Sequence, residues 1–252
     1  MFSKAVRVLY DRNPFLEAVP WLMLASALRF YGYFSPGIVL LVATALSNLA
    51  IFLAFLIAAR RMIEWSGGSV QFGNWALRDQ LRLGQQVLNR VLLMLFGMAA
   101  LAALLGFKLQ ALHFLLGFDG IAFDQHTYAG MAWSAFLAAM VFLMLIDAEQ
   151  HGKPSLPRAA QALLRNWPWM LSAVLLIALA HVAISLAQGQ LRGWIAVMWA
   201  NGFASPGVMK AIYFTFVFGF ATLRLWVTLA ILTYAIREGY RVKPQPDTPR
   251  LN

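Results

Sequence analysis

At 252 residues, with 61% hydrophobic and 12% charged side chains and a mean hydropathy of +0.68, the chain is too apolar for a water-soluble domain; such domains average roughly 45–50% apolar and about 25% charged residues. The absence of cysteine excludes disulfides, thiolate nucleophiles and cysteine-held metal or iron–sulfur centres. A formal charge of +10 would point to nucleic acid in a soluble protein; in a membrane protein the first question is on which side that charge falls.

The apolar runs reach about 20 residues, the length that crosses a hydrocarbon layer of roughly 30 Å as helix. They are apolar all round rather than alternating, which favours helices over a barrel. In chain order, spans are expected at 15–34, 37–59, 87–107, 129–147, 167–187 and 211–236. The first is interrupted by Glu17, Pro20 and Arg29. Glu17 and Pro20 make it a poor signal-peptide core despite Ala25-Ser26-Ala27 behind it, so it reads as a span. Residues 1–237 then form a single membrane domain, and the polar, proline-rich segment 238–252 reads as a disordered tail.

Of the 20 lysines and arginines, only Lys108, Arg192 and Lys210 fall on one side of this layout, and Arg29 and Arg224 fall within spans. All the others gather on the opposite side, among them Arg7, Arg12, Arg78, Arg82, Arg90, Arg158 and Arg165. By the positive-inside rule that side is cytoplasmic, and both termini lie there. Charge that flanks helices at the level of anionic headgroups also removes the case for nucleic acid.

The layout has a threefold rhythm. Arg12-Asn13, Asn89-Arg90 and Arg165-Asn166 stand at the entry to the odd-numbered spans, about 76 residues apart. Ser35-Pro36-Gly37 and Ser205-Pro206-Gly207 open the second and sixth spans. Each odd span is preceded by an amphipathic stretch. Lys4, Arg7 and Asp11 oppose Ala5, Val8 and Leu9; Arg78 and Arg82 stand beside Leu77, Leu81 and Leu88; Arg158, Gln161 and Arg165 oppose Leu156, Ala160 and Leu163. Such segments connect spans, and they also form a basic collar able to hold anionic lipid or a cytoplasmic partner. Hairpins that all start and end on one side run parallel, unlike the inverted repeats of many secondary transporters.

Arg224 lies midway along the last span, where charge is costly and a partner facing the bundle interior is required. Thr44, Ser47 and Asn48, at i, i+3 and i+4 on the second span, are its expected partners in an intramembrane polar cluster. That cluster is either a clamp between helices or a site for an anionic group, and polar side chains are common glue in membrane bundles. Arg29, near its helix end, is expected to snorkel to the interface. Asp147 is placed to counter a collar residue, and His181 reads as a packing residue. Asp119, Asp124 and His126 make at best a weak metal set, and no nucleotide loop, nucleophile elbow or HExxH is present. Most tryptophans, including Trp21, Trp133, Trp167, Trp169, Trp194 and Trp199, sit near span ends, as interfacial belts do.

Through the recurring Arg/Asn pairs, the Ser-Pro-Gly tripeptides and the collar-plus-hairpin architecture, most of the chain resembles a group of bacterial six-helix inner-membrane proteins. These include the membrane domain found ahead of some glycerophosphodiester phosphodiesterases and stand-alone relatives of unknown function. The resemblance carries over no functional residue.

The expectation is an all-α polytopic membrane protein of about six transmembrane helices, built as three similar hairpins with cytoplasmic amphipathic helices. It is read as a non-enzymatic, lipid-associated accessory or scaffold of the inner membrane, without cofactor or metal. Its expected partners are anionic membrane lipids and a further membrane protein. The alternative is a transporter or flippase-like carrier that recognises an anionic substrate through Arg224.

Overall fold

A computed structural model describes residues 16–33, 37–65, 77–107 and 128–241. They are helical throughout, with no strand among them. In chain order the helices are α1 (Val19–Tyr33), α2 (Ile38–Trp65), α3 (Leu77–Leu104), α4 (Tyr128–His151), α5 (Leu156–Arg165), α6 (Trp167–Ala200) and α7 (Pro206–Arg241). Among the described residues, five helices are long and apolar enough to cross a membrane: α2, α3, α4, α6 and α7. The described part of α1 has 15 residues. The expected features at Arg7, Arg12, Asp119, Asp124 and His126, at the first amphipathic stretch and at Ser35-Pro36 lie outside the described residues.

The arrangement follows from which helices have an apolar face to spare. α4 is apolar on every side, and a helix of that kind belongs inside a bundle. Its continuous stretch from Leu137 to Leu145 is buried, and α2, α3, α5, α6 and α7 all pack against it. α1 and α2 form a hairpin through small residues, with Ala18, Leu22 and Ala25 meeting Ala50, Ala54 and Ala58 in the buried core. At the end of this hairpin where the chain passes from α1 to α2, a Cβ on Gly32 would come within 3.1 Å of the Ala43 Cβ. Close backbone approach of this kind is what small residues permit between membrane helices. α7 packs along α6 and also along α1 and α2, so it joins the two hairpins. α3 is peripheral: Val87, Val91 and Leu95 face the core, while Leu93, Phe96 and Leu104 are exposed.

Helix ends differ from expectation at three places. α6 continues to Ala200, beyond the expected end at 187. Gly189, Gln190, Arg192 and Gly193 look like a loop, but a glycine within a helix costs only about 1 kcal/mol, and no proline interrupts the stretch. The stop comes at Asn201-Gly202, where Gly202 takes φ +61° and Phe203 N–H bonds to Met198 C=O at 3.1 Å. That pattern closes a helix C-terminus and favours glycine at the left-handed position. α7 correspondingly starts at Pro206, ahead of 211, with proline at its entry. It also runs to Arg241, into the segment expected to be tail. Ahead of α6 the amphipathic segment is a separate helix, α5, broken from α6 at Asn166 because Pro168 has no N–H to carry the ladder through. The amphipathic stretch with Arg78 and Arg82 is instead continuous with the apolar part of α3.

If Gly202 sets the α6–α7 turn, Gly202→Ala should lower stability by about 1 kcal/mol, the cost of forcing a β-carbon into left-handed backbone. Unfolding in mixed detergent micelles would measure this, with Gly207→Ala, in open helical space, as the near-neutral control.

Candidate functional site

Of the fully buried side chains among the described residues, the largest is Arg224. It lies on α7 one turn before Thr228, and the α6 face opposite carries His181, Ser185 and Gln188. These three stand at i, i+4 and i+7, which places them in one row along the helix. Arg224 Nη2 donates to Ser185 Oγ at 2.8 Å and to Gln188 Oε1 at 2.8 Å. One turn deeper, His181 Nε2 and Thr228 Oγ1 share a hydrogen bond of 3.0 Å. His181, Gln188, Arg224 and Thr228 are all buried, so the α6–α7 seam contains a polar ladder enclosed by apolar helices. Bonds from a charged donor are roughly twice as strong as neutral ones. Because both acceptors stand on the facing helix, sliding α7 by one turn would break both. His181 Nδ1 is buried without a hydrogen-bond partner among the described residues.

Two of the three partners expected for Arg224, Ser47 and Asn48, are bonded to Arg29. Arg29 Nη2 donates to Asn48 Oδ1 at 2.9 Å and Arg29 Nε to Ser47 Oγ at 3.3 Å. Ser47 Oγ in turn donates to the Ala25 carbonyl at 3.1 Å. Thr44, one turn away on α2, is half-buried. These bonds form two clamps: Arg29 with Ser47 and Asn48 across α1–α2, and Arg224 with Ser185 and Gln188 across α6–α7. Arg29 also departs from the expectation that it snorkels outward. A polar pair at i, i+1 on the neighbouring helix gives its guanidinium acceptors closer than water. Ala25, Ala50, Ile51 and Ala221 pack together between the two clamps.

At the other end of the bundle the collar is organised by carboxylates. Glu17 pairs with Arg61, tying the start of α1 to the end of α2. Asp147 Oδ1 accepts from Arg158 Nε at 2.7 Å and lies 3.0 Å from His151 Nδ1. Asp147 Oδ2 accepts the Ser155 N–H at 2.8 Å. One buried carboxylate thus fixes the corner between α4 and α5, as its expected pairing with a collar residue implies. Ala159 on α5 is buried, and Leu156, Ala160 and Leu163 pack on the bundle core, so the apolar face of α5 is turned inward. Its polar face, with Arg158, Gln161 and Arg165, is exposed. On α3, Arg78 and Arg82 are exposed, whereas Arg90 Nη1 donates back to the Gln86 carbonyl at 2.7 Å. Trp133, read from sequence as interfacial, is buried and stacks on Phe136 with centroids 5.6 Å apart.

The signal for the Arg224 partners was present in the sequence as the His181, Ser185, Gln188 row, whose i, i+4, i+7 spacing marks one helix face as the i, i+3, i+4 spacing of Thr44, Ser47 and Asn48 does. Among the described residues, no three histidine or carboxylate side chains stand together as a metal-donor set. No protein-family model, curated protein or solved structure matches the chain.

A double-mutant cycle between Arg224→Met and Gln188→Met should give a coupling of about 1 kcal/mol, the range of hydrogen bonds between membrane helices. The equivalent cycle between Arg224→Met and Asn48→Leu, residues held in different seams, should give less than about 0.5 kcal/mol. Equal couplings in the two cycles would show a single cluster instead of two clamps.

Proposed function

We propose that the chain crosses a bacterial inner membrane six times, with α1 as the first span and both termini in the cytoplasm, and acts as a non-enzymatic, lipid-associated accessory or scaffold protein. The single observation that carries this reading is the state of Arg224. A guanidinium that recognises substrate must face a space that substrate can enter. This one is fully buried and spends a nitrogen on two side chains of the neighbouring helix. That supports a clamp over a carrier site.

The remaining support comes from the collar. The apolar face of α5 is used against the bundle, which leaves Arg158 and Arg165 directed outward beside the exposed Trp167 and Trp169. Arg78 and Arg82 are exposed in the same way on α3. Basic side chains next to tryptophan at a helix end match the headgroup level of a membrane. The amphipathic stretches at the start of α3 and ahead of α6 support the three-hairpin reading, and with it the likeness to six-helix inner-membrane domains.

Native mass spectrometry of the detergent-purified protein, with bound lipids identified, tests this function. Each collar arginine contributes roughly 1 kcal/mol to an anionic lipid, so Arg78→Gln/Arg82→Gln should weaken anionic lipid retention by more than about tenfold. Arg224→Leu should lower stability, with lipid loss only in proportion. Full folding of Arg224→Leu with selective loss of one bound ligand would instead establish a carrier with a buried anion site.

A further inference from the structure

Asp147 stands near the C-terminal end of α4, and its side chain is only 9% exposed. Three groups meet its oxygens: Arg158 Nε donates to Oδ1 at 2.7 Å, the Ser155 N–H donates to Oδ2 at 2.8 Å, and His151 Nδ1 lies 3.0 Å from Oδ1. The first of these differs in kind from the other two. His151 is one turn along the same helix, and Ser155 is returned to Asp147 by the turn at Gly152, where φ is +74°. Backbone therefore holds both in place, whereas Arg158 arrives at the end of a long side chain.

Arg158 is also the least firmly held of the three. Its side chain is 45% exposed, and its second bond, from Nη2 to the Lys153 carbonyl at 3.0 Å, is itself exposed. Water and salt compete for an ion pair with a partner of this kind, so the pair contributes little to stability. A buried charge that loses every partner is strongly destabilising. Asp147 would not be in that position if Arg158 left, because the Ser155 N–H and His151 stay on it. Lys153 is exposed beside this guanidinium. The corner thus joins an exchangeable guanidinium and an exposed ammonium to a carboxylate that is satisfied without either.

Granted the lipid-associated function proposed above, we infer that the α4–α5 corner is a self-blocked phosphate site: Asp147 holds Arg158 until the headgroup phosphate of an anionic lipid takes it, with Lys153 as the second cation. A guanidinium suits this exchange, because its planar fork of N–H donors matches carboxylate and phosphate equally and binds either with two bonds. Asp147 is then an internal competitor that lowers the affinity of the collar for anionic lipid. Removing its charge strengthens lipid binding, the opposite of what a purely structural carboxylate would do.

The test is native mass spectrometry of the full detergent-purified chain, titrated with phosphatidylglycerol, phosphatidylcholine or inorganic phosphate, with thermal unfolding of every variant in the same detergent. Asparagine keeps an acceptor for the Ser155 N–H, so Asp147→Asn should unfold close to the wild-type temperature. It should retain phosphatidylglycerol about fivefold more strongly, the worth of one more cation near an anionic headgroup. Arg158→Gln in that background should remove the gain, and phosphatidylcholine retention should stay the same throughout. Arg158→Gln alone should weaken phosphatidylglycerol retention about twofold, less than a free collar cation would, because Asp147 already holds part of that charge. Equal or weaker phosphatidylglycerol retention by a folded Asp147→Asn would overturn the inference. So would an Arg158→Gln variant that binds as the wild type does, a result that stands even where Asp147→Asn fails to fold. Inorganic phosphate that displaces the lipid at equal concentration would make a free anion the ligand and refute the headgroup assignment. A null result at Asp147 beside a clear loss in Arg78→Gln/Arg82→Gln would sink this inference alone, whereas a wild-type chain with no preference for phosphatidylglycerol would sink the lipid-associated function itself.

Discussion

A guanidinium enclosed by apolar helices must find acceptors within the reach of its own side chain, and this requirement at Arg224 sets the register of the α6–α7 seam. Ser185 and Gln188 provide those acceptors from one face of α6, and His181 with Thr228 extends the contact by a further turn. Once α7 is fixed against α6, its other faces are fixed too. Ala221 is presented to Ala25, Ala50 and Ile51, while Leu225, Leu229 and Leu232 enter the core around α4. Dispersion between apolar side chains tolerates sliding, because lipid and leucine are nearly equivalent neighbours. A bond pair with two fixed acceptors does not. Arg29 applies the same constraint to α1 and α2, so each terminal hairpin has its own polar lock.

The charged residues at the opposite end perform a different task. Glu17 and Asp147 hold the starts and ends of helices together, and Asp147 in particular sets the corner from which α5 lies back on the bundle. Arg78, Arg82 and Arg165 are exposed on α3 and α5, and the proposed function sets them against membrane phosphates. Polar chemistry in this chain thus divides into an interior part that fixes helix register and a peripheral part that meets the surroundings. This division underlies the proposed function, in which buried Arg224 holds helices together and the exposed collar arginines meet lipid.

Much of the fold was legible in the sequence because membrane spans are written in composition. The apolar runs located α2, α3, α4, α6 and α7, and the Arg165-Asn166 pair marked the start of α6. The α6 terminus was not legible, since Gly189, Gly193 and Arg192 carry the composition of a loop while leaving helical bonding intact. Nor was the burial of α4 relative to α3, because a run that is apolar all round reads alike in lipid and in a protein interior. The clamps were half legible. Spacing identified Ser47 and Asn48 as a polar face and Arg224 as a residue in need of partners. It could not pair them, because an arginine side chain reaches across any of several adjacent helices and only the packing of α1 on α2 decides that Arg29 takes Asn48.

The central claim, that Arg224 lies in a dry helix–helix seam, is tested most directly by reacting Ser185→Cys with a small membrane-impermeant thiol reagent in the folded, reconstituted protein, using Ala200→Cys as the exposed reference. The account predicts that Ser185→Cys stays unmodified until detergent unfolds the chain, while Ala200→Cys reacts at once. Comparable rates at the two positions in the folded protein would mean that water reaches Arg224, and the clamp would give way to a solvated site.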